Sequence, residues 1–307
     1  VLLLGALLVV VTHWSEEQEL VRLLRESQPL WLLAAAALQL LTYVCAAGVW
    51  QRALSWGDGG PRLAALVPLG LAKLFTDQAL PSIGMSGTLV VVRGLERRGV
   101  ARTPAVAAML TGLVAYYLAY FASTLATVAI LWHRGELRLA ILLPAALLCL
   151  YSAGVPVALF ALRRGMVRRV PRWLERWPVA REVSAALHDA PSGSLFAPRL
   201  LLETTLLQLA IFAFDAATLD MALRAVATPV AFSVVFASFV VASAVSSLAW
   251  VPGGLGTFEA SCVAMLHLHG ISIEGALAAT LLLRGMIFWL PMLPGFAMAR
   301  RETGTAR

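Results

Sequence analysis

The sequence predicts an all-α polytopic integral membrane protein, built as an inverted-topology repeat with two re-entrant helical hairpins. Three observations carry this expectation. The 307 residues are 60% hydrophobic and 13% charged, with a mean hydropathy of +0.82. A soluble domain carries nearer a quarter charged residues, so lipid is the bulk solvent here. Two helix breaks interrupt long apolar stretches, Leu80-Pro-Ser-Ile-Gly-Met-Ser-Gly-Thr88 and Trp250-Val-Pro-Gly-Gly-Leu-Gly-Thr-Phe-Glu259. Broken helices at corresponding places in two halves mark a membrane fold made from repeats. Finally, the polar loops alternate in charge along the chain.

The order of elements follows from these patterns. Val1 to Val11 rises only about 16 Å at 1.5 Å per residue, too short to span, so the start of a first helix is expected to be missing. An acidic connection with Glu16, Glu17, Glu19 and Glu26 leads to Pro29, which opens a span from Leu30 to Trp50. Residues 63 to 92 are apolar enough to enter the membrane, yet they hold Lys73 and Asp77 and are cut by Pro81, Gly84 and Gly87. Limbs this short fit a re-entrant hairpin, because broken backbone is tolerated where it lines a cavity. Two straight spanning helices remain the alternative at the breaks.

Ala105 to Trp132 and Leu139 to Leu162 are clear spans, the second holding Pro144 and Pro156. Residues 163–198 form a basic amphipathic linker in which Trp173 and Trp177 alternate with Arg, as at a headgroup boundary. Leu200 to Leu219 is a span carrying Glu203 and Asp215, with Asp220 at its end. Ala231 to Trp250 leads into the second break, a short helix runs from Thr257 to His269, and Ala276 to Met298 is the last span, with Arg284 inside. The whole is read as one transmembrane domain, with repeat halves at 30–162 and 199–299.

A shift of 171 residues superposes the halves without a gap: Pro81 falls on Pro252, Gly99 on Gly270, Val100 on Ile271, Ala105 on Ala276 and Ala108 on Ala279. Loop charges then set direction. Loops 52–62, 93–102 and 163–199 and the C-terminal tail carry +1, +3, +5 and +2, whereas 13–28, 133–138, 221–229 and 270–275 carry −2, +1, +1 and −1. The positive-inside rule makes the first set, and the C-terminus, cytoplasmic, in an inner or plasma membrane. The first hairpin then enters from the cytoplasm and the second from outside, with three spans between them. The net charge of +7 is explained the same way, and no nucleic-acid partner is expected.

The candidate functional residues gather at the breaks. Gly253-Gly-Leu-Gly-Thr257 precedes a helix N-terminus, where free N–H groups and the helix dipole suit a phosphate. Pro81, Ser82, Gly84, Ser86, Gly87 and Thr88, followed by Arg93, offer the same chemistry in the first half, as Pro252, Gly253, Gly254, Gly256 and Thr257 do in the second. Glu259 and Arg284 each stand in apolar context, where mutual pairing is the economical arrangement; they form either a structural bolt or a headgroup site. Lys73 and Asp77, four apart on one helix face, are expected to neutralise each other. Asp215 has no partner visible in the sequence and is the candidate for proton coupling, set against a simple hydrogen bond to a nearby Ser or Thr. His267 and His269 point to different sides of a helix, and Cys45, Cys149 and Cys262 lie in separate segments, so neither a metal nor a disulfide is expected. Without a nucleophile elbow, HExxH or Walker loop, no cofactor and no enzymatic activity are expected.

At Pro252-Gly-Gly-Leu-Gly-Thr-Phe-Glu259, followed by Gly270-Ile271, Ala276 and Arg284, the chain resembles the flippase-like transmembrane domain family of lysylphosphatidylglycerol synthases, once listed as UPF0104. Leu80 to Thr88, Arg93 and Arg97-Arg-Gly-Val100 carry the resemblance in the first half, although Ser86, Gly87 and Thr88 stand where many members have a Glu. The resemblance covers nearly the whole chain and does not include the cytosolic aminoacyltransferase domain. It implies a lipid translocase that moves a phospholipid or other anionic-headgroup lipid between leaflets of the cell envelope, with membrane lipids and a separate lipid-synthesising enzyme as partners. A secondary transporter of a small anionic solute, an intramembrane lipid-modifying enzyme and an accessory scaffold are the rival readings.

Overall fold

The computed structural model describes residues 26–55, 60–79, 85–136, 139–164, 197–248 and 254–303. The expected first helix, the Trp-Arg linker, and Pro81, Ser82, Gly84, Pro252 and Gly253 lie outside these residues. All described regular structure is helical: α1 (Pro29–Ser55), α2 (Leu63–Ala79), α3 (Met85–Arg97), α4 (Arg102–His133), α5 (Leu139–Arg163), α6 (Pro198–Ala225), α7 (Phe232–Leu248), α8 (Thr257–Leu268), α9 (Ile273–Arg284), a π-helical segment Gly285–Trp289, and α10 (Met292–Thr303). Among the described residues, α1, α4, most of α5 and α6 are long and apolar enough to cross a membrane. The chain is a multi-pass membrane protein. Its helices carry Leu30, Leu33, Leu147 and Leu150 at the surface, while Gln39, Thr111, Thr124 and Ser152 are buried. Such an arrangement suits hydrocarbon as the outer solvent.

Two expectations are corrected. The span expected at Leu200–Leu219 continues to Ala225, because Met221-Ala-Leu-Arg224 holds helix formers and Arg224 Nε reaches Asp220 at 2.9 Å one turn back. The helix closes only where Ala227 takes φ +57°. The expected last span, Ala276–Met298, is not one helix: α9 ends at Arg284, five residues are π-helical, and α10 restarts after Pro291. Pro291 has no N–H to donate and its ring excludes a carbonyl four residues back, so the ladder cannot pass through it.

The chain divides into two compact units, Val1–Gln39 with Asp215–Ile287, and Leu40–Phe214 with Phe288–Arg307. In the second of these, α2 and α3 fold back on each other as a hairpin. Leu66, Leu69, Val91 and Leu95 from its limbs close a core with Ala47, Val49 and Trp50 of α1 and Ala105 of α4. α10 straps across this hairpin. Ala299 packs on Ala72 and Val90, Phe296 meets Phe75 edge-on at 5.4 Å, and Gly295 lies so close to α2 that a Cβ there would stand 2.7 Å from the Leu71 carbonyl. Arg98 closes the strap with two bonds to the Glu302 carboxylate, at 2.8 and 3.1 Å.

In the other unit α7 and α8 form a second hairpin, and α9 packs on α8. Phe239 of α7 meets Phe258 of α8 edge-on at 5.9 Å. The two hairpins are alike in local detail. Moved by 171 residues, the last residue of α3 falls on the last residue of α8 and the first of α4 on the first of α9. The turns after them use the same bonds: Arg98, Gly99 and Val100 donate to Leu95, Glu96 and Leu95, as His269, Gly270 and Ile271 donate to Leu266, His267 and Leu266. Gly99 and Gly270 take φ +83° and +88°, a conformation that favours glycine at a helix C-terminus.

Candidate functional site

In the second hairpin the chain before α8 tightens through Gly254 and Gly256, at φ +63° and +82°. Gly256 caps the helix, and its N–H would otherwise lack a partner, as the first donors of any helix do. Glu259, in the first turn, reaches back to accept that N–H at 2.7 Å with Oε2. Its other oxygen, Oε1, accepts Arg284 Nε at 2.6 Å. Both side chains are largely buried, 17% and 9% exposed, so the pair is only weakly screened. The Arg284 guanidinium also lies over the Phe258 ring at 4.8 Å, which holds its plane against α8. Thr257 donates to the Gly254 carbonyl at 3.1 Å, completing the turn. A single carboxylate thus sits where a helix N-terminus and a guanidinium converge, the position a bound anion would take.

The first hairpin builds a comparable arrangement from different positions. Asp77 accepts Lys73 Nζ at 2.5 Å, as its spacing predicts, and its Oδ1 also takes the Gly87 N–H at 2.9 Å near the start of α3. A Cβ on Gly87 would collide with that carboxylate, so glycine here allows the two limbs to approach. Ser86 Oγ donates to the Thr76 carbonyl at 3.3 Å, a second tie between the limbs. Thr88 takes the place of Glu259 in the 171-residue register, and Arg93 is exposed on α3. At each hairpin one acid and one base meet a backbone N–H at the beginning of the second limb; the base lies on the first limb in one case (Lys73) and on α9, beyond the hairpin, in the other (Arg284). The candidate anion sites are filled by the chain's own carboxylates.

Asp215 belongs to neither of these groups. The Gln39 amide donates to its Oδ1 at 2.8 Å and to Thr218 Oγ1 at 3.0 Å, joining α1 to α6. The expected nearby hydroxyl does not supply this bond. Gln39 was the overlooked residue, although an amide in the middle of the Leu30–Trp50 span was itself a signal. Glu302 and Arg98 were also overlooked as a pair. His267 and His269 bond the backbone, through Nδ1 to the carbonyls of Ile271 and Met265.

A family described as the lysylphosphatidylglycerol synthase TM region matches residues 1–295. The chain belongs to this family. No curated protein matches it.

Proposed function

We propose that this member of the lysylphosphatidylglycerol synthase TM family is a lipid translocase, non-enzymatic, which carries a phospholipid or other lipid with an anionic, phosphate-bearing headgroup between leaflets. Family membership supports a membrane protein of lipid handling. One observation carries the finer reading: Glu259 spans the Gly256 N–H and the Arg284 guanidinium, at 2.7 and 2.6 Å. A lipid phosphate presents the same pair of acceptor oxygens and the same negative charge, so it can replace Glu259 on those donors. While Glu259 is bonded the site is closed; when the phosphate displaces it, the site is loaded.

The first hairpin offers the corresponding exchange on Lys73 and the Gly87 N–H, with Asp77 as the displaced group. In this reading both hairpins are re-entrant and of opposite orientation, since the three long helices α4, α5 and α6 lie between them in sequence. Asp215, held by Gln39, serves as the coupling carboxylate. Acyl chains remain in the bilayer while the headgroup moves.

Reconstitution into liposomes with fluorescently labelled lipids, scored by chemical quenching of the outer leaflet, tests the proposal. Protein-dependent loss of sidedness for an anionic phospholipid is expected. Transport of a soluble anion alone, with lipid sidedness unchanged, would replace the reading with a solute transporter.

A further inference from the structure

A further polar place lies where the end of α1 meets the beginning of α6. The two helices run antiparallel here: Leu207 packs on Gly48, and one turn further along, Glu203 faces Arg52. Arg52, Ser55, Arg199 and Glu203 line a cleft of about 350 Å³. Arg199 Nε donates to Glu203 at 3.0 Å, and Arg52 Nη1 stands 3.8 Å from the other oxygen of the same carboxylate.

Among the described residues the charges do not balance: two guanidiniums share one carboxylate, and Arg199 lies in the first turn of α6, the end at which a helix dipole already favours anions over cations. The Arg side chains are 59% and 82% exposed, so most of their N–H donors remain open to the cleft, while Glu203 is 30% exposed. Among the described residues, one positive charge is in excess. A phosphate has the oxygens to accept from both guanidiniums at once. An ammonium headgroup would instead meet two cations, with Glu203 already engaged. Below the cleft, Leu202 and Leu206 are 60% and 55% exposed, one helical turn apart on the α6 face that carries Arg199 and Glu203. They continue the polar seat into an apolar track of the kind an acyl chain covers.

We infer that Arg52 and Arg199 form a binding site for the phosphate of a phospholipid with net negative charge, held at the membrane boundary and made of residues that neither hairpin site uses. Glu203 staples the two guanidiniums in position and weakens the hold on the phosphate enough to allow exchange. The site goes beyond the translocase reading and stands whether or not the hairpins carry lipid.

The test uses the full chain in a non-ionic detergent, titrated with phosphatidylglycerol, phosphatidylcholine or inorganic phosphate, with bound molecules counted by native mass spectrometry. One phosphatidylglycerol is expected to be retained in preference to phosphatidylcholine. Its affinity falls about tenfold in Arg52→Gln/Arg199→Gln, which loses the charge-assisted bonds. Glu203→Gln binds phosphatidylglycerol more tightly, because the repulsive carboxylate is gone. If the double variant does not fold, Arg199→Gln alone, at the more exposed position, gives the same comparison with a smaller loss. Equal phosphatidylglycerol binding by the folded variant and the parent overturns the site. Equal retention of phosphatidylcholine, or displacement of the lipid by millimolar inorganic phosphate, overturns its assignment to an anionic lipid.

Discussion

Glu259 and Arg284, 25 residues apart in sequence, meet at 2.6 Å across α8 and α9, and the same carboxylate holds the N–H that starts α8. The base, the acid and the helix start therefore move together. A change at any one of them alters the other two.

Glu259→Gln and Arg284→Ala are each expected to abolish lipid transport while the protein still inserts. Each leaves a buried charge without its partner, at a cost of about 3–5 kcal/mol, so the melting temperature should fall as well. Transport per folded molecule, measured in liposomes at matched protein density, separates the two effects. Full transport in both variants would reduce the pair to a structural bolt.

Gly87→Ala puts a methyl group into the Asp77 carboxylate. The expected cost is about 1–3 kcal/mol, as for other insertions into closely packed places. Adding Asp77→Ala should recover part of that loss, because the colliding group is removed. A thermal-stability double-mutant cycle checks this, and additive losses would contradict the close approach of the two limbs.

Gln39→Leu removes the donor that holds Asp215. A hydrogen bond of this kind contributes about 0.5–1.5 kcal/mol, so a drop in melting temperature is expected. Asp215→Asn should abolish the response of transport to an imposed proton gradient while downhill lipid exchange continues. Gradient response unchanged in Asp215→Asn would exclude it as the coupling group.

Gly99→Ala and Gly270→Ala should destabilise the protein by similar amounts, about 1 kcal/mol each, since both force a side chain into the left-handed region. Chemical denaturation in mixed micelles reads the comparison. Strongly unequal losses would show that the two turns, although alike in hydrogen bonding, carry different loads.

Glu302→Ala releases the only acidic group that Arg98 bonds among the described residues. Limited proteolysis should then cut near the C-terminus faster than in the parent chain, because α10 loses the bond that closes its strap over α2 and α3. An unchanged cleavage rate would leave apolar packing and the Arg97 bond to the Arg301 carbonyl as the holds on α10.

What the sequence determined by itself is local or energetic in origin. Apolar runs long enough to cross lipid, interrupted by Pro and Gly, specify where helices start and stop, so the ends of α3 and α8 and the starts of α4 and α9 agree with the 171-residue register. The cost of an isolated charge in apolar surroundings was enough to pair Glu259 with Arg284 and Lys73 with Asp77. Tertiary structure decided the rest. Gln39 reaches Asp215, and Arg98 reaches Glu302, only because helices remote in sequence pack side by side, and no local periodicity records such neighbours. The N–H groups of Gly87 and Gly256 divide along the same line: Glu259 reaches the Gly256 N–H from three residues on, within one helix turn, whereas Asp77 reaches the Gly87 N–H only because the two limbs of its hairpin pack together.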